Sequence, residues 1–403
     1  MTAPVPVQQK GLRAIPRDIW VIGLVSLAMD VSSESIHSLL PLFMVSTLGA
    51  SVLTVGIIDG FAEATANIIK VFSGTISDFL KKRKALTVFG YALSAFSKPL
   101  FPLATSVTHV VTARVADRIG KGIRGAPRDA LMADIAPPHL LGASFGLRQS
   151  LDTTGAFIGP ILAIALMAWT HGNFRIVFWI ATIPAVISVF ALIVGVHEPG
   201  ESKKSKDRPP LRWSDLRTFS REYWWVVAIA GIFTLARFSE AFLVLRAQSI
   251  GLSAAWVPAV MVAMNISYGL SAYPAGVLSD RMSHRGLLAA GLVVLVAADI
   301  ALAFASGLPL LFAGVLLWGL HMGLTQGLLS AMVAGCAPSE LRGTAFGFFN
   351  LVSGIALLPA SAIAGLLWVW TGPSATFVCG AAFAVLALFT VIGTMRPRAN
   401  PGR

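Results

Sequence analysis

Charged residues are scarce in this sequence. They make up 12% of its 403 residues, whereas a soluble domain carries about 25%, so the chain cannot cover itself with polar surface. Cysteine is scarcer still, and the two thiols, Cys336 and Cys379, are too few for a disulfide framework or a cysteine zinc site. No Gly-x-x-x-x-Gly-Lys-Ser/Thr motif is present, which excludes ATP binding by a P-loop. The remainder is apolar, with 56% hydrophobic residues and a mean hydropathy of +0.76.

Long apolar runs recur through the whole sequence. A helix rises ~1.5 Å per residue, so about 20 apolar residues cross the ~30 Å hydrocarbon core of a bilayer. The runs predict an all-α membrane protein with twelve transmembrane helices near 19–46, 52–76, 85–106, 108–131, 142–169, 175–196, 223–250, 255–278, 287–306, 309–333, 344–369 and 374–395. An even number of crossings places both termini on the same side of the membrane.

Basic residues are concentrated in alternate connections between these runs. The net charge is +12, yet the connections 47–51, 251–254, 307–308 and 370–373 hold almost no Lys or Arg. The positive-inside rule therefore predicts that both termini are cytoplasmic, as in a multi-pass protein of a bacterial inner membrane. The excess charge is an orientation signal, and no nucleic-acid partner is expected. The polar segment 198–221 is predicted to be a flexible cytoplasmic linker.

The sequence repeats its own landmarks at half its length. Gly74 and Asp78 recur as Gly276 and Asp280, 202 positions later, and an Ala-Pro…Gly-x-x-Phe-Gly pattern that begins at 136 recurs 201 positions later. This duplication predicts two pseudo-symmetric six-helix bundles, residues 1–197 and 222–403, on either side of the linker. Many secondary transporters build a central site between paired halves of this kind.

These landmarks resemble those of the major facilitator superfamily. That family carries G-x-x-x-D-(R/K)-x-G-(R/K)-(R/K) between helices two and three and echoes it between helices eight and nine. The first copy departs from the pattern at Phe79 and Lys81, and the second copy is closer. The resemblance implies the fold of that superfamily and an ion-paired gate at the cytoplasmic face. The gate residues implied are Gly74, Asp78, Arg83, Gly276, Asp280, Arg281 and Arg285.

Two further motifs of that family lie in helices four and five. Arg118 and Gly122 are similar to an R-x-x-x-G signature. Helix five resembles the antiporter signature G-x8-G-x3-G-P-x-x-G-G, although 163–164 is Ala-Ile instead of a glycine pair. In the family this signature accompanies export by exchange, while the same glycine spacing also suits plain close packing of helices. The matching residues are Gly146, Gly155, Gly159 and Pro160.

Ionisable side chains inside apolar runs are the best candidates for function, because each is costly where it faces lipid. Six of them fall near mid-depth: Glu34, Glu63, Arg118, Asp152, Arg237 and His321. In the resembled fold helices one, four, seven and ten line the central cavity, which implies that four of the six face it. Asp30, Glu34 and His37 share one face of helix one. Arg114 and Arg118 share a face of helix four.

These residues admit two interpretations. In the first, Glu34 or Asp152 carries a proton, and substrate binding at Arg118 releases it. In the second they form permanent salt bridges between helices, which suits Asp152 because Arg148 lies one turn away. Arg237 can likewise pair with Glu240. His321 can either line the cavity or be packed away from it. Asp30, Glu34 and His37 of helix one can alternatively bind a divalent metal ion.

The sequence thus predicts a secondary transporter without enzymatic activity or a bound cofactor. We expect a monomer in the lipid bilayer that exports a small-molecule substrate by alternating access, with the proton gradient as its energy source. The alternatives within transport are a proton-coupled importer of an organic anion and a divalent-metal exporter. A membrane-embedded enzyme or a scaffold is disfavoured, since the sequence shows no nucleophile or metal constellation and a scaffold needs no buried charges.

Overall fold

The computed structural model describes residues 15–80, 82–137, 140–198, 219–279, 282–336 and 342–393. All regular structure in these residues is helical. The helices are α1 (Arg17–His37), α2 (Leu40–Ser46), α3 (Val52–Leu80), α4 (Arg83–Ser97), α5 (Leu100–Leu103), α6 (Val107–Ile135), α7 (Leu141–Trp169), α8 (Phe174–Gly195), α9 (Arg221–Ala236), α10 (Ala241–Ser249), α11 (Ala259–Ser279), α12 (His284–Ala303), α13 (Leu308–Cys336), α14 (Arg342–Thr371) and α15 (Pro373–Gly393).

These fifteen helices form twelve rods, because three rods are broken by a few residues. The breaks fall between α1 and α2, between α4 and α5 at Lys98 and Pro99, and between α9 and α10 at 237–240. The α1–α2 break at 38–39 and the α9–α10 break lie about half the chain apart, where the duplication places equivalent positions. The predicted all-α fold of twelve helices is confirmed.

Nine rods in the described part of the chain are long and apolar enough to cross a membrane. The three others are α4–α5, α6 and α11. Helix α6 falls short because charged residues run along it, yet Arg114, Asp117, Arg118 and Arg124 are all buried. The least apolar rod is therefore the one whose charges point into the protein. Large apolar side chains such as Phe96, 75% exposed, cover the outside, as expected of a surface in lipid.

Each half has its own core. In the first half α1 packs on α7 and α8, and α6 packs on α3 and α4. In the second half α12 packs on α13 and α15, and α13 also packs on α11. One cluster of buried apolar residues comes almost wholly from the second half, and two come mostly from the first. The predicted boundary at 198–221 stays a prediction, since 199–218 lie outside the described residues.

The halves meet along two main lines, α3 with α14 and α7 with α11. Glycines allow the first contact to be close: a Cβ added at Gly365 would lie 2.7 Å from Leu53 Cα, and one at Gly354 would lie 2.9 Å from Asn67 Cβ. At the end of the bundle away from residue 17, α2 packs against α10. These contacts enclose a space between the halves.

Candidate functional site

A cavity of about 360 Å³ lies between the two halves. Helices α1, α2, α3 and α6 line it from the first half, and α9, α10, α11 and α14 line it from the second. Ionisable side chains of both signs lie along its wall, among apolar and neutral ones. They are Glu34, His37, Asp59, Glu63, Arg114, Arg118, Lys121, Arg237 and Glu240.

Arg118 is the centre of the charge network on the first-half wall. Its Nη1 lies 3.0 Å from Glu63 Oε1, and its Nε lies 3.7 Å from Asp117 Oδ2. Its Nη2 lies 2.9 Å from His37 Nδ1 and 3.0 Å from His37 Nε2. A guanidinium donates only, so the imidazole accepts in this contact and must be neutral. A proton on His37 would therefore break its contact with Arg118.

Glu34 and His37 lie one turn apart on α1 and both line the cavity. His37 Nδ1 is 3.8 Å from Glu34 Oε1, while His37 Nε2 is 3.6 Å from Asp117 Oδ2. Glu34 is the more open of the pair, with a quarter of its side chain exposed. Among the described residues it has no guanidinium or ammonium partner within 4 Å, unlike Glu63.

Arg114 forms the second internal pair of the cavity wall. It donates to Asp59 of α3, and the other oxygen of Asp59 accepts from the hydroxyl of Ser239. Ser239 belongs to the α9–α10 break, and its backbone N–H donates to Ser361 Oγ at 3.2 Å. Asp59 thus joins a cation of the first half to the broken helix of the second.

A buried ion pair supports this wall from behind. Lys98, in the α4–α5 break, has no exposed surface, and its Nζ lies 2.9 Å from Asp117 Oδ1 and 2.9 Å from Ser33 Oγ. Sequence reasoning missed Lys98, Asp117 and Asp59. The available signal was the same one that found the other candidates: an ionisable residue in the middle of an apolar run.

The second half contributes Arg237 and Glu240, which flank the α9–α10 break. With its amide oxygen towards the guanidinium, Gln326 accepts from Arg237 Nη2 at 3.0 Å and from Nη1 at 3.1 Å, and it donates to Tyr268 Oη at 3.1 Å. The expected ion pair of Arg237 with Glu240 is therefore wrong, because both residues lie in the break between α9 and α10 and so lack the one-turn spacing of a continuous helix. Glu240 has no hydrogen-bond or ion-pair partner among the described side chains.

Three candidates do not line the cavity. Asp152 is bound by Arg148 one turn away, as the salt-bridge interpretation expected, and Arg148 Nε also lies 3.9 Å from Asp129 Oδ1. Asp30 points to the α1–α7 contact beside Gly155. His321 was expected at the cavity, but it is fully buried in the core of the second half.

The ring of His321 packs behind a cavity-lining aromatic residue. Its centroid lies 5.3 Å from that of Phe233 and 6.2 Å from that of Trp318. The expectation failed because α13 is apolar on every side, so its sequence does not show which face meets the cavity.

The glycines of the antiporter-like motif set the distance between α1 and α7. A Cβ at Gly159 would lie 2.7 Å from Glu34 Cβ and 2.9 Å from Val31 O, and one at Gly155 would lie 2.7 Å from Leu27 O. Gly146 and Pro160 lie in the same helix. The motif therefore allows α7 to pack closely against the turn of α1 that carries Glu34.

The gate motif is described only in part. Arg83 pairs with Asp134 at the end of α6, and the guanidinium of Arg285 lies 4.4 Å from the centroid of the Trp225 ring. A Cβ at Gly74 would lie 3.3 Å from Ala126 Cβ, so this glycine allows α3 to approach α6.

The structure gives no contacts for the four other gate positions. Asp78 and Gly276 lie in α3 and α11 respectively, without a description of their surroundings. Asp280 and Arg281 lie outside the described residues. Their part in a gate stays a prediction.

Comparison with known proteins gives consistent matches over the whole chain. A family model described as Major Facilitator Superfamily matches residues 22–266 and 241–403. The sequence is 32% identical over 384 residues to an uncharacterized MFS-type transporter of Methanocaldococcus jannaschii, covering 93% of this chain and 94% of that protein. It is 25% identical over 366 residues to multidrug resistance protein MdtH of Cronobacter sakazakii, covering 88% and 87%. The structure of the nucleoside transporter NupG has the same fold, with a TM-score of 0.77 over 94% of this chain and 100% of that one at 13% identity.

Proposed function

The chain belongs to the major facilitator superfamily and is a multi-pass membrane transporter, and on this premise we propose that it exports a small solute in exchange for protons. The observation that carries the proposal is the difference between the carboxylates of the cavity. Asp59 and Glu63 are each held by an arginine, whereas Glu34 faces the cavity beside His37 without a cationic partner within 4 Å among the described residues. Glu240 also lacks such a partner among the described residues, but of these two carboxylates Glu34 alone lies within 4 Å of His37, which connects it to Arg118. Glu34 is therefore the carboxylate best placed to take up and release a proton.

His37 can connect the protonation of Glu34 to the ion pairs of Arg118. In its neutral form it accepts from Arg118, while its two nitrogens face Glu34 and Asp117. A proton that moves from Glu34 to His37 removes the acceptor and places two cations side by side. Arg118 would then keep Glu63 as its partner and withdraw from α1. Loading of the proton site thus changes the contact between α1 and α6.

Alternating access requires contacts between the halves that can break. The bond between Asp59 and Ser239 and the packing of α2 on α10 hold the halves together at and beyond the cavity. The pair of Arg83 with Asp134 joins α4 to α6 within the first half at the other end, where we place the cytoplasm from the distribution of basic residues. Rocking of one half against the other would break the contacts that join the halves at and beyond the cavity.

Two observations favour export over import. The α7 glycine pattern resembles the antiporter signature, and a relative with 25% identity carries the name multidrug resistance protein. An importer of organic anions was suggested by three arginines, but Arg114 and Arg118 are already paired with carboxylates. The divalent-metal alternative needs Asp30 beside Glu34 and His37, and Asp30 does not line the cavity.

We further propose that the protein works as a monomer in a bacterial inner membrane, with cytoplasmic termini and a transport role rather than an enzymatic one. A nucleic-acid partner and a bound cofactor are not part of this proposal. Arg114, Arg118 and Lys121 of α6 line the cavity, and the basic connections serve orientation.

The test is solute uptake by the purified protein in proteoliposomes with an imposed pH gradient. An acidic lumen drives uptake by proton exchange, whereas an acidic exterior drives uptake by proton symport. A library of small solutes is scored under both gradients and at equal pH. We expect solutes to accumulate with the acidic lumen. Accumulation only with the acidic exterior would contradict export, and equal uptake under all three conditions would contradict proton coupling.

A further inference from the structure

The charges of the cavity divide into those that are neutralised within the protein and those that are not. Arg114 is paired with Asp59, and Arg118 is paired with Glu63. The opposite charges of each pair cancel, so a bound solute experiences little net charge from them. Within the part of the chain that the structure describes, four ionisable residues of the wall have no oppositely charged partner within 4 Å: Glu34, Lys121, Arg237 and Glu240.

Lys121 is the unneutralised cation of the first half. It lies on α6 one turn beyond Arg118, and its side chain is exposed where it lines the cavity. It forms no hydrogen bond or ion pair with any described side chain. A lysine at this depth in a membrane protein needs an anion, since an isolated charge is costly there.

Arg237 and Glu240 are the corresponding charges of the second half. The guanidinium of Arg237 is held by the neutral amide of Gln326, so its charge is not cancelled. Glu240 is the residue immediately before α10, and its carboxylate makes no capping hydrogen bond and has no partner among the described side chains. The second half therefore presents one cation and one anion to the same cavity.

With Glu34 assigned to the proton, two cations from opposite halves and one carboxylate remain for the solute. A purely cationic solute would be repelled by Lys121 and Arg237, and a purely anionic solute would be repelled by Glu240. We propose that the substrate is a small amphoteric solute, with an acidic group bound between Lys121 and Arg237 and an ammonium group bound at Glu240. This inference rests on the proposed transport function and names its substrate class.

The arrangement also connects binding to conformational change. An acidic group that contacts both Lys121 and Arg237 joins the two halves, so it binds the closed arrangement better than an open one. The volume of about 360 Å³ is at the small end of the ~300–1,000 Å³ typical of ligand pockets, which suits a solute of metabolite size.

Binding at a single pH tests the inference without any gradient. The full chain in detergent is screened for thermal stabilisation by a library with equal numbers of amphoteric, anionic, cationic and neutral solutes. Each amphoteric solute is accompanied by its ester, which lacks the acidic charge, and its N-acetyl derivative, which lacks the ammonium charge. We expect the stabilising compounds to be amphoteric and each derivative to bind at least about tenfold more weakly, as for one lost charged hydrogen bond.

Variants then assign the contacts. Lys121→Gln and Arg237→Gln should each weaken binding of the amphoteric solute about tenfold or more and leave its ester nearly unaffected. Glu240→Gln should weaken binding of the amphoteric solute but leave binding of its N-acetyl derivative nearly unaffected. Replacement of Arg17, an exposed arginine outside the cavity, by glutamine is the control.

The inference is overturned if singly charged or neutral solutes bind as well as amphoteric ones, or if no amphoteric solute binds. Neither result bears on proton coupling, which the gradient experiment measures separately.

Discussion

Lys98 Nζ lies 2.9 Å from Asp117 Oδ1, and both side chains are shielded from solvent. The pair joins the α4–α5 break to the rear of the cavity wall, where Asp117 also faces His37 and Arg118. A buried charge that loses its partner is strongly destabilising, whereas removal of both charges is much less so. The stability of the cavity wall therefore depends on a lysine that does not line the cavity.

Replacement of Lys98 by methionine should lower the free energy of unfolding by about 3 kcal/mol or more, because Asp117 is left buried without its ammonium partner. The double variant Lys98→Met/Asp117→Asn should recover most of that loss, since no unpaired charge remains. Thermal unfolding in detergent measures both. Equal loss in the single and double variants would show that Lys98 stabilises the protein by packing alone.

Gly159→Ala should disturb the contact between α1 and α7, because the added Cβ would lie 2.7 Å from Glu34 Cβ and 2.9 Å from a backbone oxygen. Overpacking of this kind costs about 1–3 kcal/mol, and here it also displaces Glu34. We expect a lower unfolding midpoint together with slower transport. Gly231→Ala is the matched control, since its Cβ would meet only Val352 at 3.6 Å and helix propensity favours the change. Similar behaviour of the two variants would contradict the close-contact role of Gly159.

Ser239→Ala should loosen the closure between the halves by removing the hydrogen bond that Asp59 accepts across them. The loss of one such bond costs about 1 kcal/mol, enough to change a two-state population severalfold. The measurement is the labelling rate of Val244→Cys, a buried residue of α10, in a chain whose native cysteines are replaced by serine. We expect faster labelling than with Ser353→Ala, another serine of the cavity wall. An unchanged rate would mean that the bond does not contribute to closure.

Asp134→Asn should slow transport without impairing membrane insertion, because Arg83 loses its carboxylate partner at the end of α6. The pair is about a quarter exposed, so we expect a stability change of less than about 1 kcal/mol. Asp78→Asn should have the same phenotype if the gate predicted from the sequence motif exists. Initial transport rates normalised to protein in the membrane measure both, with the exposed Glu222→Gln as control. Wild-type rates in both variants would argue against a gate at this face.

The sequence predicted the features that depend on composition and periodicity. The twelve rods follow from the lengths of the apolar runs, and the placement of Glu34, His37, Arg114 and Arg118 at one cavity follows from their common helix faces. It predicted the one-turn pair of Arg148 with Asp152 within α7. It did not predict which charges pair between helices, because that pairing depends on the vertical register of neighbouring helices. Arg118 binds Glu63 rather than Glu34 for this reason.

A helix break and a uniformly apolar helix explain the other two differences between the predicted and the observed positions. The break at 237–240 separates Arg237 from Glu240, although an unbroken helix would place them one turn apart. No pattern in the apolar run of α13 distinguishes a face for His321, which packs inward against Phe233. Only the assembled structure resolves these positions.

In the proposed mechanism, Glu34 couples solute movement to protons. The decisive measurement compares wild type with Glu34→Gln in proteoliposomes, both for accumulation driven by a pH gradient and for exchange of labelled solute at equal pH. The glutamine keeps the shape of the side chain but cannot carry the proton. We expect the variant to fold, to bind and to exchange the solute, and to accumulate none against its gradient. Accumulation by Glu34→Gln at the wild-type level would contradict this role and would move the assignment to Glu240, the other cavity carboxylate without a cationic partner among the described residues.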